Sequence, residues 1–325
     1  MVKLARLISK WLEWTDKTFE GEKLTVKNPL VFFQKSGRIV LTNGQRLQFN
    51  EKNKKDIFNL AFFIIEHDVR FGDKGFVWKI GPLDNKDQTE YRQDGTYVVE
   101  TPNGIKVLTT GFDSTIFAET FLYDTHFSEG LDGKIVVQAG GFVGDTALYY
   151  ASKGGVVYSF EPDPNSFGIA KRNIALNPEF SKRITFENYA LGRSEMVDFP
   201  INEAGSGGAS IYSTGYASKV RVKSLNISEI ISEFNIHSPY LLDLDIKGSE
   251  FEIINDSAIT EFKKIRIEYS PFLLNDNNKS FYSLVAKIRG LGFEITRIYK
   301  HYPERYDLTT HGTIEAINQN IDTET

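Results

Sequence analysis

The chain has 325 residues, 41% of them hydrophobic and 13% aromatic, enough to bury a sizeable core in one large or two modest domains. Thirty-eight basic residues against 43 acidic ones leave a net charge of −5, which argues against nucleic acid as the main partner. The absence of cysteine excludes disulfides and thiolate zinc sites, and no apolar run approaches the ~20 residues of a membrane span.

At the start, Leu4, Leu7, Ile8, Trp11 and Leu12 recur at helical spacing, opposite Lys3, Arg6, Lys10 and Glu13. This segment lacks the continuous apolar core and cleavage site of a signal peptide, so a soluble, cytoplasmic protein is expected. The helix is expected to dock on its own domain or on a twin subunit, as a homodimer through the N-terminal region, rather than to lie on a membrane. Residues 30–49 alternate loosely around the hairpin signal Asn43-Gly44. Asp56 to Phe71 reads as a buried helix ending near His67 and Asp68. Phe76–Ile80, Tyr97–Val99 and a run through Leu108 read as strands. Asp113 to Phe127 leads into the core, with Glu119 and His126 as candidates to face an acceptor or as plain surface residues. The front portion, 1–91, is expected to form a smaller, mainly-β accessory domain.

From Lys134 the chain reads KIVVQAGGFVGDTALYYASKGGVVYSFEPDP. Ile135–Val137 suits a buried parallel strand, and Gly140, Gly141 and Gly144 follow it. A helix through Leu148 and Ala151 comes next, then a second strand, Val156–Phe160, that ends on Glu161. In an open parallel sheet, ligands lie outside the carboxyl ends of the strands, where Glu161 can accept hydrogen bonds from a ribose diol. A nicotinamide site wants a glycine three residues before Gly141, and Gln138 stands there instead. The spacing acid-x-G-x-x-x-G of an S-adenosylmethionine turn is met by Gly140 and Gly144, with Gln138 at the acidic place. Beyond it, Asp163 and Pro164 open a helix, and Ile184–Asn188 is a third strand. Ala190-Leu191-Gly192 falls where an adenine ring is expected, and Asn188 is placed to bond the base. GSGGASIYST, within 202–214, is a lid or a solvated connector. Tyr240–Asp245 and Ile265–Glu268 are the fourth and fifth strands. Phe293–Ile298 and Thr313–Ile317 make a closing antiparallel hairpin.

The segments VVQAGGFVGDTALYYASKGGVVYSFEPDPNSFGIAKRNIALN, LLDLDIKGSEFEII and IRIEYSPF occur in the order seen in the FkbM family of S-adenosylmethionine-dependent methyltransferases. The chain resembles that family from about Gly95 onward. The resemblance implies an α/β class I methyltransferase fold: a Rossmann-like seven-stranded sheet with an antiparallel last strand. The methyltransferase domain would cover 92–325, with its sheet core from about 134. It further implies S-adenosyl-L-methionine as cofactor and O-methylation of a small-molecule or glycan hydroxyl. By the same resemblance Gly140, Gly141 and Gly144 line the methionine portion, with Asp145 and Thr146 opening the helix beneath. Glu161 would take the ribose hydroxyls, with Pro162 and Asp163 fixing its loop. Gln138 departs from the family's Asp and Lys247 from its Glu.

Asp245, at the end of the fourth strand, is the first candidate for orienting the acceptor or taking its proton. Its other role would be to cap the helix that follows. Glu268 and Glu250 are weaker candidates. The five histidines have no metal-ligand spacing in sequence, so no metal is expected. A catalytically inactive binding module and an NAD(P)-dependent oxidoreductase are the alternative functions.

Overall fold

The computed structural model describes residues 38–40, 45–67, 69–72, 77–83, 96–201, 218–274, 276, 278–301 and 307–321. The N-terminal amphipathic helix, the Asn43-Gly44 turn, Asp68 and the small-residue segment 202–214 lie outside these residues. Contacts divide the chain into two compact units, Met1–His126 and Phe127–Thr325. No helix among the described residues is long and apolar enough to cross a membrane.

In the first unit, β1 (Arg38–Val40) pairs antiparallel with β2 (Arg46–Gln48), and α1 (Lys54–Glu66) follows. Strands β3 (Lys79–Pro82), β4 (Tyr97–Glu100) and β5 (Lys106–Leu108) make an antiparallel meander. Then comes α2 (Ser114–Phe121), whose first amides are capped by the Asp113 carboxylate. Helix α1 stops at Glu66, short of the expected Phe71. His67 ends it with its ring nitrogen 2.8 Å from the Tyr123 hydroxyl, and Phe71 instead bridges to Trp78. Phe63 on α1 packs edge-on against Trp78 and Phe112, at centroid distances of 5.1 and 5.3 Å.

The second unit is doubly wound. In chain order it runs β6 (Ile135–Ala139), α3 (Asp145–Ser152), β7 (Val156–Phe160), α4 (Pro164–Ala175), α5 (Pro178–Ser181), β8 (Ile184–Glu187), β9 (Ala190–Leu191) and β10 (Glu195–Ile201). It continues through β11 (Ser218–Leu225), α6 (Ile227–Glu233), β12 (Pro239–Leu244), α7 (Glu250–Ile253), β13 (Lys264–Tyr269), α8 (Phe281–Gly290), β14 (Phe293–Lys300) and β15 (Gly312–Asn318). Seven of these strands form one sheet in the order β14-β15-β13-β12-β6-β7-β8, with only β15 antiparallel to its neighbours. This is the class I methyltransferase sheet expected from the sequence, closing hairpin included. The two-residue β9 and the longer β10 and β11 make a separate three-stranded sheet in the order β10-β11-β9.

Because helices cover both faces, the central strands are buried on both sides, and Val136, Val137, Leu241, Leu242, Leu244, Ile265 and Ile267 are all inaccessible. Polar residues nevertheless cross the sheet in one register row. Ser159, Gln138, Asp243, Arg266 and Glu315 are successive strand partners from β7 to β15. Asp243, the deepest charge in the row, has both oxygens paired, whereas Arg266 Nε and Glu315 Oε1 are buried without a hydrogen-bond partner among the described residues. Arg266 Nη1 donates to Asp243 Oδ1 at 2.8 Å, and the Tyr150 hydroxyl donates to Asp243 Oδ2 at 2.7 Å. Burial, and then the neighbouring Asp243 charge, push the Tyr150 phenol far above its ordinary value, so it remains a donor.

Candidate functional site

The carboxyl ends of β6, β7 and β12 converge on the glycine turn. Gly140 has φ +85°, and a Cβ there would lie 2.0 Å from the Asp245 carbonyl oxygen. The Asp245 amide in turn donates to the Ala139 carbonyl at 3.0 Å. A Cβ on Gly141 would meet the Phe186 ring and Ser159 Oγ at 2.6 Å, and one on Gly144 (φ +81°) would crowd Ala170 at 3.2 Å. These glycines therefore answer first to the protein's own close packing. The turn they make is itself packed, with 141–144 buried and Gly140 partly exposed at the end of β6. Gly144 is the N-cap of α3, and Asp145 and Thr146 are buried in its first turn, where the Thr146 hydroxyl lies 3.4 Å from Asp145 Oδ2.

Glu161 closes this turn from β7. Its Oε2 accepts from the Phe142 amide and its Oε1 from the Asp163 amide, both at 2.8 Å. One carboxylate thus ties the glycine turn to the loop after β7. Burial raises its pKa to about 8, against the lowering by those two amides. Asp163 caps α4 through the Asn165 amide and the Ser166 hydroxyl, with Pro164 in the first helical position, as expected. Asn188 donates its side-chain amide to the carbonyls of Glu161 (2.7 Å) and Pro162 (3.1 Å), so in this structure it braces the Glu161 loop. Ala190 is buried in β9.

Gln138 is buried within the sheet. Its Oε1 accepts from Ser159 Oγ at 2.5 Å, and its Nε2 lies 3.3 Å from the Gly140 carbonyl. The departure from an acid here has a physical reason. Gln138 is the register neighbour of Asp243, and a second carboxylate beside that buried charge would be repelled with one Arg to serve both.

Towards β13 and β15 a second polar group gathers. Asp245 is partly exposed just past β12, and Lys247 Nζ lies 3.6 Å from Asp245 Oδ1 and 3.5 Å from Glu268 Oε1. Burial and the Glu268 charge raise the Asp245 pKa, against the effect of Lys247. Burial would raise Glu268 too, but surrounding positive charge, Lys247 foremost, holds it at about 2. His311 Nε2 is 3.8 Å from Glu268 Oε1, and His301 Nε2 is 3.9 Å from Oε2. His301, driven down to about 4 mainly by burial, is neutral. Glu250 accepts from the Gly248 and Ser270 amides and so staples the loop after β12 to the end of β13. A cavity of ≈ 760 Å³ lies at the opposite, amino-terminal ends of β6, β12 and β13, away from all of these groups.

Both sequence candidates for the reacting end, Asp245 and Glu268, thus meet through Lys247. His301 and His311 were missed by the sequence reading: they flank β14 and β15, ten residues apart with no ligand-like spacing, and only the closing hairpin brings them to Glu268.

Residues 138–295 match the family model of the methyltransferase FkbM domain. No curated protein matches the chain. Similar solved structures include TrmK of M. capricolum in complex with S-adenosyl-homocysteine, 12% identical with a TM-score of 0.39 over 61% of this chain and 68% of that one. They also include the magnesium protoporphyrin IX methyltransferase of Synechocystis PCC 6803 with bound S-adenosyl-homocysteine, 13% identical with a TM-score of 0.36 over 65% of this chain and 84% of that one.

Proposed function

We propose that this chain, in which residues 138–295 match the FkbM methyltransferase domain, is an S-adenosyl-L-methionine-dependent O-methyltransferase that acts on a hydroxyl of a sugar, glycan or secondary metabolite. Residues 1–91 would serve as an accessory domain. The observation that carries the reading is the joining of Glu161 to the glycine turn, beside a second acid, Asp245, at the carboxyl end of β12. The glycine turn at 140–144, open at Gly140, and the carboxylate at 161 fit a nucleoside with an amino-acid tail. When bound, the cofactor supplies a sulfonium-activated methyl group.

Glu161 would exchange one of its amide partners for the ribose diol. Gly140, Gly141 and Gly144 would border the amino-acid tail, and Asn188 and Ala190 the base. Asp245 is partly exposed at the strand end, and the burial and neighbouring Glu268 charge that raise its pKa make its carboxylate a stronger base for the acceptor's hydroxyl proton. Lys247 then stabilises the negative charge on the acceptor side. Phe272, 46% exposed and with its ring 5.9 Å from that of His311, offers an apolar lip for a sugar face or a metabolite ring. Holding the acceptor in line with the methyl would supply much of the acceleration.

A binding module without catalysis is the second reading, favoured by the engagement of Gln138 with Ser159 and Gly140. The test is incubation of the protein with methyl-labelled S-adenosylmethionine and glycan or metabolite extracts, with mass spectrometry of the products. A hydroxyl-bearing compound that gains a methyl supports the enzyme. Binding of the cofactor with no acceptor methylated in any extract supports the module.

A further inference from the structure

The geometry points to a divalent transition-metal site formed by Glu268, His301 and His311, at the acceptor end of the sheet. All three side chains are at least nine-tenths buried, and their donor atoms lie within 4.8 Å of one another. The separations from Glu268 to the imidazole nitrogens, 3.8 and 3.9 Å, are too long for hydrogen bonds. They are close to the ~3.4 Å that separates tetrahedral ligands about 2.1 Å from a zinc-like ion. The two contacts run to different Glu268 oxygens, and the widest separation within the set is bounded at 4.8 Å, so binding would draw the two imidazoles in on the carboxylate by up to about 1.4 Å.

The surroundings match what such a ligand set needs. His311 Nδ1 lies 3.1 Å from both the Tyr269 carbonyl, which can only accept, and Ser270 Oγ, so the tautomer with its hydrogen on Nδ1 serves the carbonyl and leaves Nε2, turned to Glu268, as the ligating nitrogen. His301 Nε2 is hydrogen-bonded to the Thr313 hydroxyl at 2.7 Å, a bond that a cation on this nitrogen would replace, leaving the hydroxyl oxygen beside the ion. Two imidazoles and a carboxylate suit zinc, iron(II), cobalt or nickel rather than magnesium or calcium. Glu268 comes from β13, and His301 and His311 face each other at the turn end of the β14–β15 hairpin, just beyond its last pair, Lys300 and Gly312. Lys247 Nζ, 3.5 Å from Glu268 Oε1, is the positive charge that a bound ion would displace. Its flexible stem and partial exposure allow it to withdraw towards Asp245. Resting on the methyl-transfer reading, the ion would take over from Lys247 the stabilisation of the acceptor oxygen, whose proton passes to Asp245.

The test uses Co²⁺ as the probe, titrated into the full chain and followed by visible absorption. Tetrahedral-type d–d bands are expected to appear and saturate. His311→Ala and Glu268→Gln should weaken binding by more than about 100-fold, beyond the loss that follows disruption of outer-shell partners alone. Lys247→Ala removes the competing ammonium without touching a ligand, and should tighten Co²⁺ binding by about tenfold. That variant decides the matter if the ligand variants fail to fold. Absence of the bands in the parent, bands that persist in His311→Ala and Glu268→Gln, or unchanged affinity in Lys247→Ala would overturn the site. Calorimetry with S-adenosylmethionine reports separately on the methyl-transfer reading, because none of these three ligands is assigned to the cofactor.

Discussion

Asp243 is the charge on which the middle of the sheet depends, and its removal yields a prediction with a definite size. It is fully buried, accepts from Arg266 at 2.8 Å and from Tyr150 at 2.7 Å, and is next in register to Gln138. Asp243→Ala would strand the Arg266 guanidinium, which is only 4% exposed. Deleting one member of a buried pair costs about 3–5 kcal/mol, and the orphaned Tyr150 hydroxyl adds about 1 kcal/mol. The expected loss, about 4–6 kcal/mol, is a large share of the ~5–15 kcal/mol that a folded protein has to lose. Urea unfolding should be followed by circular dichroism, because all three tryptophans precede Lys79 and report on the other unit. The triple variant Asp243→Leu, Arg266→Met, Tyr150→Phe removes every polar member of the cluster and should recover most of the loss, since a buried pair is often replaceable by packed apolar side chains. A loss below about 1 kcal/mol in Asp243→Ala, or a triple variant less stable than the single one, would refute the account of the row.

Gln138→Asp would place a second carboxylate beside Asp243 and should destabilise the fold by about 1–3 kcal/mol, read from the urea midpoint at pH 7.5. Gly140→Ala puts a side chain at φ +85° against the Asp245 carbonyl and should cost about 2–4 kcal/mol. Gly168→Ala, at an exposed position of α4 with nothing within 4 Å of the added carbon, should stabilise by about 0.5–1 kcal/mol. Glu161 sets a pH dependence: its folded pKa of about 8 lies above its ordinary 4.5, so the native state holds the extra proton between those values. Stability should therefore fall as pH rises from about 5 to 8, and Glu161→Gln should flatten that slope in urea midpoints measured across the range.

Much of the sheet was legible because its signals are local. The apolar runs at 135–137, 156–160 and 240–244 are short, bounded by glycine or acid, and too continuous for half-exposed strands. The helix start at Asp163-Pro164 and the closing hairpin likewise follow from residues near in sequence. β10 was missed because its exposed positions carry Glu195, Met196 and Asp198, and its burial depends on β11, across the segment 202–217. At the site, the glycine turn and Glu161 were readable as a unit, but the carboxylate's partners were not, since backbone amides have no sequence signature. The sequence shows Gln138 only as a departure from an acid, because its register neighbour Asp243 is not revealed by any spacing along the chain. His301 and His311 gather on Glu268 only through the antiparallel pairing of β15 with both β13 and β14, a long-range consequence of topology.

The most direct measurement is calorimetric titration of the full chain with S-adenosylmethionine and S-adenosylhomocysteine, alongside NAD(P)H, in the parent and in folded Glu161→Ala. One nucleoside site is expected for the two sulfur compounds and none for NAD(P)H, with affinity in Glu161→Ala weaker by about tenfold or more. Heat only with NAD(P)H, no heat with any of the three, or a Glu161→Ala variant that binds as the parent does would contradict a methyl donor held at this turn.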